Sequence, residues 1–298
     1  MNRVRARHNL TCYLYLLPTF ALLAVFTLVP VLIALAGAFF RWEVGAQGQF
    51  VGTANFTEIL FHDRDFWPSV LNVTKLTLFL VAVRLTVPLL VAELIFARRR
   101  EISRYFFRLL FIVPMVVPGV AVILIWQFIY SDYGVLSQFL RLIGRPEWVH
   151  GWLSDPKTAL LSLMFIGFPF VGGFEVLIYY AGLAAIPESV LDAAKIDGAT
   201  GFARVFKVDL PLVASQLKLV LVLAIIGSIQ GFYGIMILTD GGPGNCTLVP
   251  GLMMYHNAFL FQRMGYACAI GFVLFLAILG LTILNMKLIR PAGEHEAK

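Results

Sequence analysis

Few side chains in this 298-residue chain could do chemistry, and most of them lie in apolar surroundings. Arg84, Glu93, Glu175, Tyr179, Ser228, Gln230 and Tyr233 all fall within long hydrophobic runs. An ionisable or amide group in such a place is costly, so each is a functional candidate. Carboxylates and amides can bond hydroxyl groups, and aromatic rings can cover the less polar faces of a polyhydroxylated solute. Phe170 and Phe174 are the aromatic candidates. Glu175 and Tyr179 are spaced to share one helix face. Arg84 and Glu93 are separated by two and a half helical turns. Interhelical hydrogen bonds and a structural ion pair are the alternatives for these groups. Glu93, close to Arg98, Arg99 and Arg100, can also snorkel toward the membrane surface.

Nothing points to catalysis. The sequence has no H-E-x-x-H, no G-x-S-x-G and no spaced Cys/His cluster. Its three cysteines, Cys12, Cys246 and Cys268, form no C-x-x-C and imply no disulfide framework. No catalytic residue and no metal site are assigned. The stretch TDGGPGN, from Thr239 to Asn245, is glycine-rich. It lacks the lysine and spacing of a phosphate-binding loop and reads as a turn.

The composition says what holds these residues. The chain is 60% hydrophobic and 13% charged, with a mean hydropathy of +0.86. A soluble domain carries about 25% charge. The expected fold is therefore an all-α membrane domain over residues 1–298. Six spans are expected at about 13–40, 71–97, 106–131, 158–183, 213–238 and 265–288, each long enough to cross a bilayer. The first is too long for a signal-peptide core and reads as an uncleaved span. With both termini inside, the cytoplasmic segments hold Arg3, Arg5 and Arg7, then Arg98, Arg99, Arg100, Arg104 and Arg108, then Lys195, Arg204 and Lys207. The outer loops hold fewer basic residues and carry Trp42, Trp67, Trp148 and Trp152. Basic residues inside and aromatic anchors at the interfaces support this orientation. The net charge of +6 thus reports topology, and no nucleic acid partner is expected.

One cytoplasmic segment, residues 184–212, is not apolar. Pro187 and Glu188 suit a helix start, and the helix should run to about Ile196. Leu191, Ala194 and Gly198 fall on one face, ringed by Asp192, Lys195 and Asp197. Gly198 can end the helix in a left-handed conformation. A second short helix is expected from about Gly201 to Lys207, with Phe202, Val205 and Phe206 on one side. Leu210-Pro211 should break it. The segment is long for a connector. No part of the chain is expected to cover its two amphipathic helices, so a separate cytosolic subunit should.

The order Asp192-Ala193-Ala194, three residues, Gly198, nine residues, Val208, one residue, Leu210-Pro211 resembles the E-A-A loop of ABC importer permeases. Asp192 stands for the family's Glu and Val208 for its Ile. Val51-Gly52-Thr53-Ala54-Asn55-Phe56, the stretch from Gly173 to Pro187, and Leu238-Thr239-Asp240-Gly241-Gly242-Pro243 are similar to segments of the carbohydrate-uptake branch, the MalF/UgpA-like permeases. The resemblance implies a transport subunit for a sugar or polyol that hydrolyses nothing itself. It implies that Asp192, Ala193, Ala194, Asp197, Gly198, Val208, Leu210 and Pro211 meet a cytosolic ATPase dimer, where the acid would pair with a basic residue. ATP and Mg would be bound by those partners. It further implies a substrate path through Phe170, Phe174, Glu175, Tyr179, Ser228, Gln230 and Tyr233. Thr239, Gly241, Gly242 and Pro243 would contact an extracytoplasmic solute-binding protein. A second, different permease subunit and the cell membrane of a prokaryote complete the expectation. An importer for glycerol phosphate is the alternative, with a stand-alone channel or membrane enzyme behind it.

Overall fold

A computed structural model describes residues 2–43, 45, 47–98, 100–169 and 172–288, with backbone alone for 2–12 and 288. Helix α1 (Asn2–Leu23) passes through a π-helical turn, Ala24–Leu28, into α2 (Val29–Gly37). A short antiparallel ribbon follows, β1 (Phe40–Arg41) and β2 (Gln49–Phe50), then α3 (Ala54–Thr57). The long α4 is Phe66–Phe96. Next come α5 (Glu101–Ile112), α6 (Gly119–Ile129), α7 (Val135–Leu142), α8 (Ala159–Met164) and α9 (Gly173–Ala184). The 184–212 segment holds α10 (Glu188–Ile196), α11 (Phe202–Arg204) and α12 (Leu210–Leu212). The chain ends in α13 (Ala214–Gln230), α14 (Tyr233–Leu238), α15 (Pro250–Tyr255) and α16 (Met264–Leu288).

Among the described residues, four helical stretches are long and apolar enough to cross a membrane: Tyr13–Gly37, Phe66–Phe96, Ala214–Leu238 and Met264–Lys287. Two bent helix pairs also qualify by length and composition. One joins Glu101–Val116 to Gly119–Ile129 at 91°, the other Gly173–Ala184 to Glu188–Ile196 at 75°.

The first of these bends, and a separate break between α8 and α9, correct two expected spans. The run at 106–131 is not one rod. It turns at a 3-10 segment, Val113–Val116, that contains Pro114 and precedes Pro118. Proline lacks the N–H that would carry the helix on. The run at 158–183 is split between α8 and α9, with Gly167 (φ +85°), Pro169 and Gly172 (φ +80°) between them. Smaller corrections follow the same logic. The first span ends at Gly37, where the chain turns into β1, and α4 starts at Phe66 rather than 71. The helix after Gly201 is not broken at Leu210-Pro211. It runs from α11 through a π-helical turn, Val205–Asp209, and through α12 to Val213. Pro211 follows directly on the π-helical turn and lies two residues before the helix ends at Val213.

The chain divides into two compact units. The first joins Met1–Asp63 to Met253–Phe275. Here Asn55, 7% exposed, donates from Nδ2 to the carbonyls of Ala38 (2.8 Å) and Phe40 (3.0 Å). Phe39, Phe56 and Phe272 meet ring to ring at 5.3–5.9 Å. Arg263 is paired with Glu58 at 2.7 Å, and Tyr266 donates to the Asp63 carboxylate. The Val51–Phe56 stretch thus has a structural duty, since Asn55 holds the start of β1.

The second unit joins Arg64–Leu252 to Leu276–Lys298. Its centre is α4, packed against α9 and α13. The core contains Ala92 and Ile95 of α4, Val176, Tyr179 and Leu183 of α9, Ile186, Val213, and Val220 of α13. In lipid, helices gain by close packing, so small residues at crossings matter most. A Cβ at Gly182 would lie 2.7 Å from Gln216 Cδ of α13. A Cβ at Gly173 would run into the carbonyl oxygen of Phe111 in α5.

Candidate functional site

Four polar residues of the apolar helices, Arg84, Glu175, Tyr179 and Ser228, lie at or beside the middle of α4. Arg84 lies three residues beyond the midpoint of this 31-residue helix. Its Nη1 is 3.2 Å from Oε1 of Glu175, which sits in the first turn of α9. The Arg84 side chain is 37% exposed and that of Glu175 only 8%. The break at Gly172 places Glu175 beside the middle of α4. Tyr179, one turn further along α9, is fully buried, and its hydroxyl has no hydrogen-bond partner among the described residues. From α13, a Cβ at Gly227 would lie 3.8 Å from Arg84 Nη1, so this helix also borders the ion pair. Its neighbour Ser228 is buried and donates to the Ala224 carbonyl at 2.7 Å.

The remaining path candidates are not gathered with this pair. Phe174 is about half exposed, as is Tyr233, and Gln230 is exposed. Phe170 lies outside the described residues. A buried carboxylate with a half-exposed guanidinium can hold a solute by hydrogen bonds while remaining neutral as a pair. Glu175→Gln, which leaves Arg84 without its counter-charge, is expected to lower transport about tenfold or more while the protein still inserts. Uptake measured beside the membrane level of the variant checks this.

In the 184–212 segment, Gly198 has φ +75° just beyond α10. Asp192 is exposed, and its carboxylate accepts from Lys195 at 2.8 Å. Ala193, Lys195 and Asp197 are exposed too. The small-residue face is not open, as was expected. Ala194 is 6% exposed, and Leu191 packs against the core around Leu183 and Ile186. The reason is the sharp turn between α9 and α10, which folds this face back onto the chain. The side left uncovered carries Ile196, Phe202 and Phe206, with Ile196 86% exposed. Val208 and Leu210 are half-buried, and Pro211 is exposed.

Glu93 does not snorkel. It is 8% exposed, and Arg204 reaches it with Nη2 at 3.6 Å while donating from Nε to Asp209 at 2.8 Å. The spacing of these three gives no local signal in the sequence. At the other turn, Thr239 shares a 2.8 Å hydroxyl bond with Thr247, which donates to the Gly242 carbonyl. Gly241 is buried, Gly242 and Pro243 are half-buried, and the exposed tip is Asp240, Gly244 and Asn245. Burial pushes the Cys246 thiol up from its ordinary value, so it remains a thiol at neutral pH. No group of three His, Cys, Asp or Glu able to hold a metal occurs among the described residues.

Long apolar helices, two sharply bent pairs, an ion pair inside the bundle and an amphipathic helical loop are the features of a multi-pass membrane protein. Residues 85–290 match the family described as "Binding-protein-dependent transport system inner membrane component". The chain is 29% identical to the probable ABC transporter permease protein YurN of Bacillus subtilis, over 95% of this chain and 97% of that protein. It is 28% identical to the trehalose/maltose transport system permease protein MalF of Thermococcus litoralis, over 96% of each. Its fold is similar to a chain in the crystal structure of a bacterial alginate ABC transporter bound to a periplasmic protein carrying an alginate pentasaccharide. The TM-score is 0.83 at 21% identity, with 95% of each chain covered. The chain belongs to the binding-protein-dependent transport system inner membrane component family.

Proposed function

We propose that this chain is one of two permease subunits in an ATP-driven importer of a saccharide or related polyol. Both termini lie in the cytoplasm; the bent pair Glu101–Val116 and Gly119–Ile129 makes a fifth crossing and the broken run α8–α9 the sixth, which leaves α10 in the cytoplasm. The observation that carries the substrate class is the Arg84–Glu175 pair at the centre of α4, held at 3.2 Å. Glu175 neutralises the guanidinium, which disfavours a phosphate and suits a hydroxyl-rich neutral solute. Relatives named for trehalose and maltose, lactose and starch degradation products support the same class.

ATP and Mg are bound by a cytosolic ATPase dimer, since this chain has no phosphate-binding loop. Asp192, Ala193, Asp197 and the uncovered Ile196, Phe202 and Phe206 form the face that meets it. Closure of the ATPase dimer pushes on this face and favours the outward-open state. The push works only because the contact differs between the two states. The solute arrives on an extracytoplasmic binding protein that meets the turn at Thr239–Pro243, and a different permease subunit supplies the other half of the path. Deleting this gene in its host, then restoring it, tests the substrate class. Uptake of a labelled oligosaccharide should vanish and return, while glycerol 3-phosphate uptake stays unchanged. Loss of glycerol 3-phosphate uptake alone would favour the anion alternative.

A further inference from the structure

We propose that Arg204 is a positioning residue that fastens the 184–212 loop to α4, so that loop movement reaches the Arg84–Glu175 pair through that helix. This rests on the reading of the loop as the surface an ATPase pushes. Packing holds the loop through Ile186, Leu191 and Ala194. Arg204 adds an ionic tie. Its Nε donates to Oδ2 of Asp209 at 2.8 Å, and its Nη2 lies 3.6 Å from Oε2 of Glu93. The guanidinium also sits 5.6 Å from the centre of the Phe96 ring. Thus one side chain from the loop grips two residues of α4 and one at the loop's far end.

The local backbone is shaped for this contact. In a regular α-helix, Arg204 and Asp209 would point about 140° apart. The π-helical turn Val205–Asp209 brings them to one side. The arrangement is poor as a source of stability. Asp209 is fully buried, Glu93 nearly so, and a single guanidinium serves both carboxylates. Both oxygens of Glu93 and Oδ1 of Asp209 have no hydrogen-bond partner among the described residues. Incompletely satisfied buried charges are weak stabilisers, and fixing geometry is their better-attested use.

The position on α4 gives the tie its reach. Glu93 and Arg84 are nine residues apart on one continuous helix, a rise of about 13 Å. Pro88 lies between them, but it is fully buried, and a Cβ at Gly172 would sit 2.7 Å from its ring. Wedged there, it has no room to swing. A shift of the loop therefore moves Glu93 with Arg204, and α4 carries the shift to the guanidinium that holds Glu175.

The test uses the whole complex, with ATPase, second permease and binding protein, in proteoliposomes. Saccharide uptake and ATP hydrolysis are measured together, and their ratio is the readout. Arg204→Met with Glu93→Gln and Asp209→Asn removes all three charges without stranding any. It should assemble and hydrolyse ATP near the wild-type rate, with uptake per ATP down about tenfold. Arg204→Lys keeps the charge but can serve only one carboxylate well, and should lower the ratio by a smaller factor. A triple variant, or an Arg204→Lys variant should the triple one fail to assemble, with the wild-type ratio would overturn the proposal. So would loss of ATPase binding in Arg204→Lys, which would place Arg204 in the docking face itself. A wild-type complex that hydrolyses ATP without moving any saccharide would instead sink the transport reading, and this proposal with it.

Discussion

Replacing Gly198 with proline is expected to abolish uptake while leaving the protein inserted in the membrane. Gly198 has φ +75°, in the left-handed region, and proline is held near −65°. Two hydrogen bonds close α10 at this point. The Gly198 N–H donates to the Lys195 carbonyl at 3.1 Å, and the Ala199 N–H donates to Ala194 at 2.8 Å. This is the pairing of a Schellman motif, with glycine at the position just past the cap. Proline has no N–H for the first bond and cannot hold the turn that makes the second. The loop is then redirected from Asp197 onward, and Ile196 and Phe202 no longer share a surface. Alanine is the informative control. No atom lies within 4 Å of a Cβ built at Gly198, so only the left-handed strain of about 1–2 kcal/mol remains. Gly198→Ala should keep most of the uptake, and Gly198→Pro should lose about a hundredfold or more. Uptake normalised to membrane level separates the two.

A large effect on stability is expected at Gly173. Its Cβ would collide with the backbone carbonyl of Phe111 and would come within 3.0 Å of the Met115 side chain. A methionine can move aside, but a carbonyl in α5 cannot without breaking that helix. Gly173→Leu should therefore cost more than about 3 kcal/mol and leave little folded protein. Glu175, two residues on, would lose its place beside Arg84 at the same time. Gly280 is the matched control, since nothing lies within 4 Å of its Cβ and leucine should be tolerated there. Thermal stability of the purified proteins in detergent reads both outcomes.

The sequence was most legible where the signals were local. Pro187 before the first helical turn and Gly198 just past the last one bound α10 correctly, because both act within a few residues. Long apolar runs located α4, α13 and α16 for the same reason. Hydropathy averaged over Pro114 and Pro118, and over Gly167, Pro169 and Gly172, so two bent segments looked like straight spans. These residues were visible, but an apolar window gives them no weight as breakers. The direction of the Leu191–Ala194 face was not legible, since an amphipathic helix does not say whether its own chain or a partner covers it. The pairs Arg84–Glu175 and Arg204–Glu93 join residues far apart in the chain, and only packing around α4 reveals them. Glu93 illustrates the cost. Beside three arginines it looked like a snorkelling group, yet Arg204 from the far loop holds it inside.

The central claim is that the exposed side of the 184–212 loop docks on a cytosolic ATPase. Its most direct test is a photo-crosslinking amino acid placed singly in this loop in living cells. At Ile196, 86% exposed, or Phe202, 79% exposed, it should capture the ATPase subunit, identified by mass spectrometry. At Ala194, 6% exposed, it should capture only its own chain. Normal insertion with no ATPase crosslink at Ile196 or Phe202 would contradict the account, as would equal capture of that subunit at Trp148, assigned to the outer face.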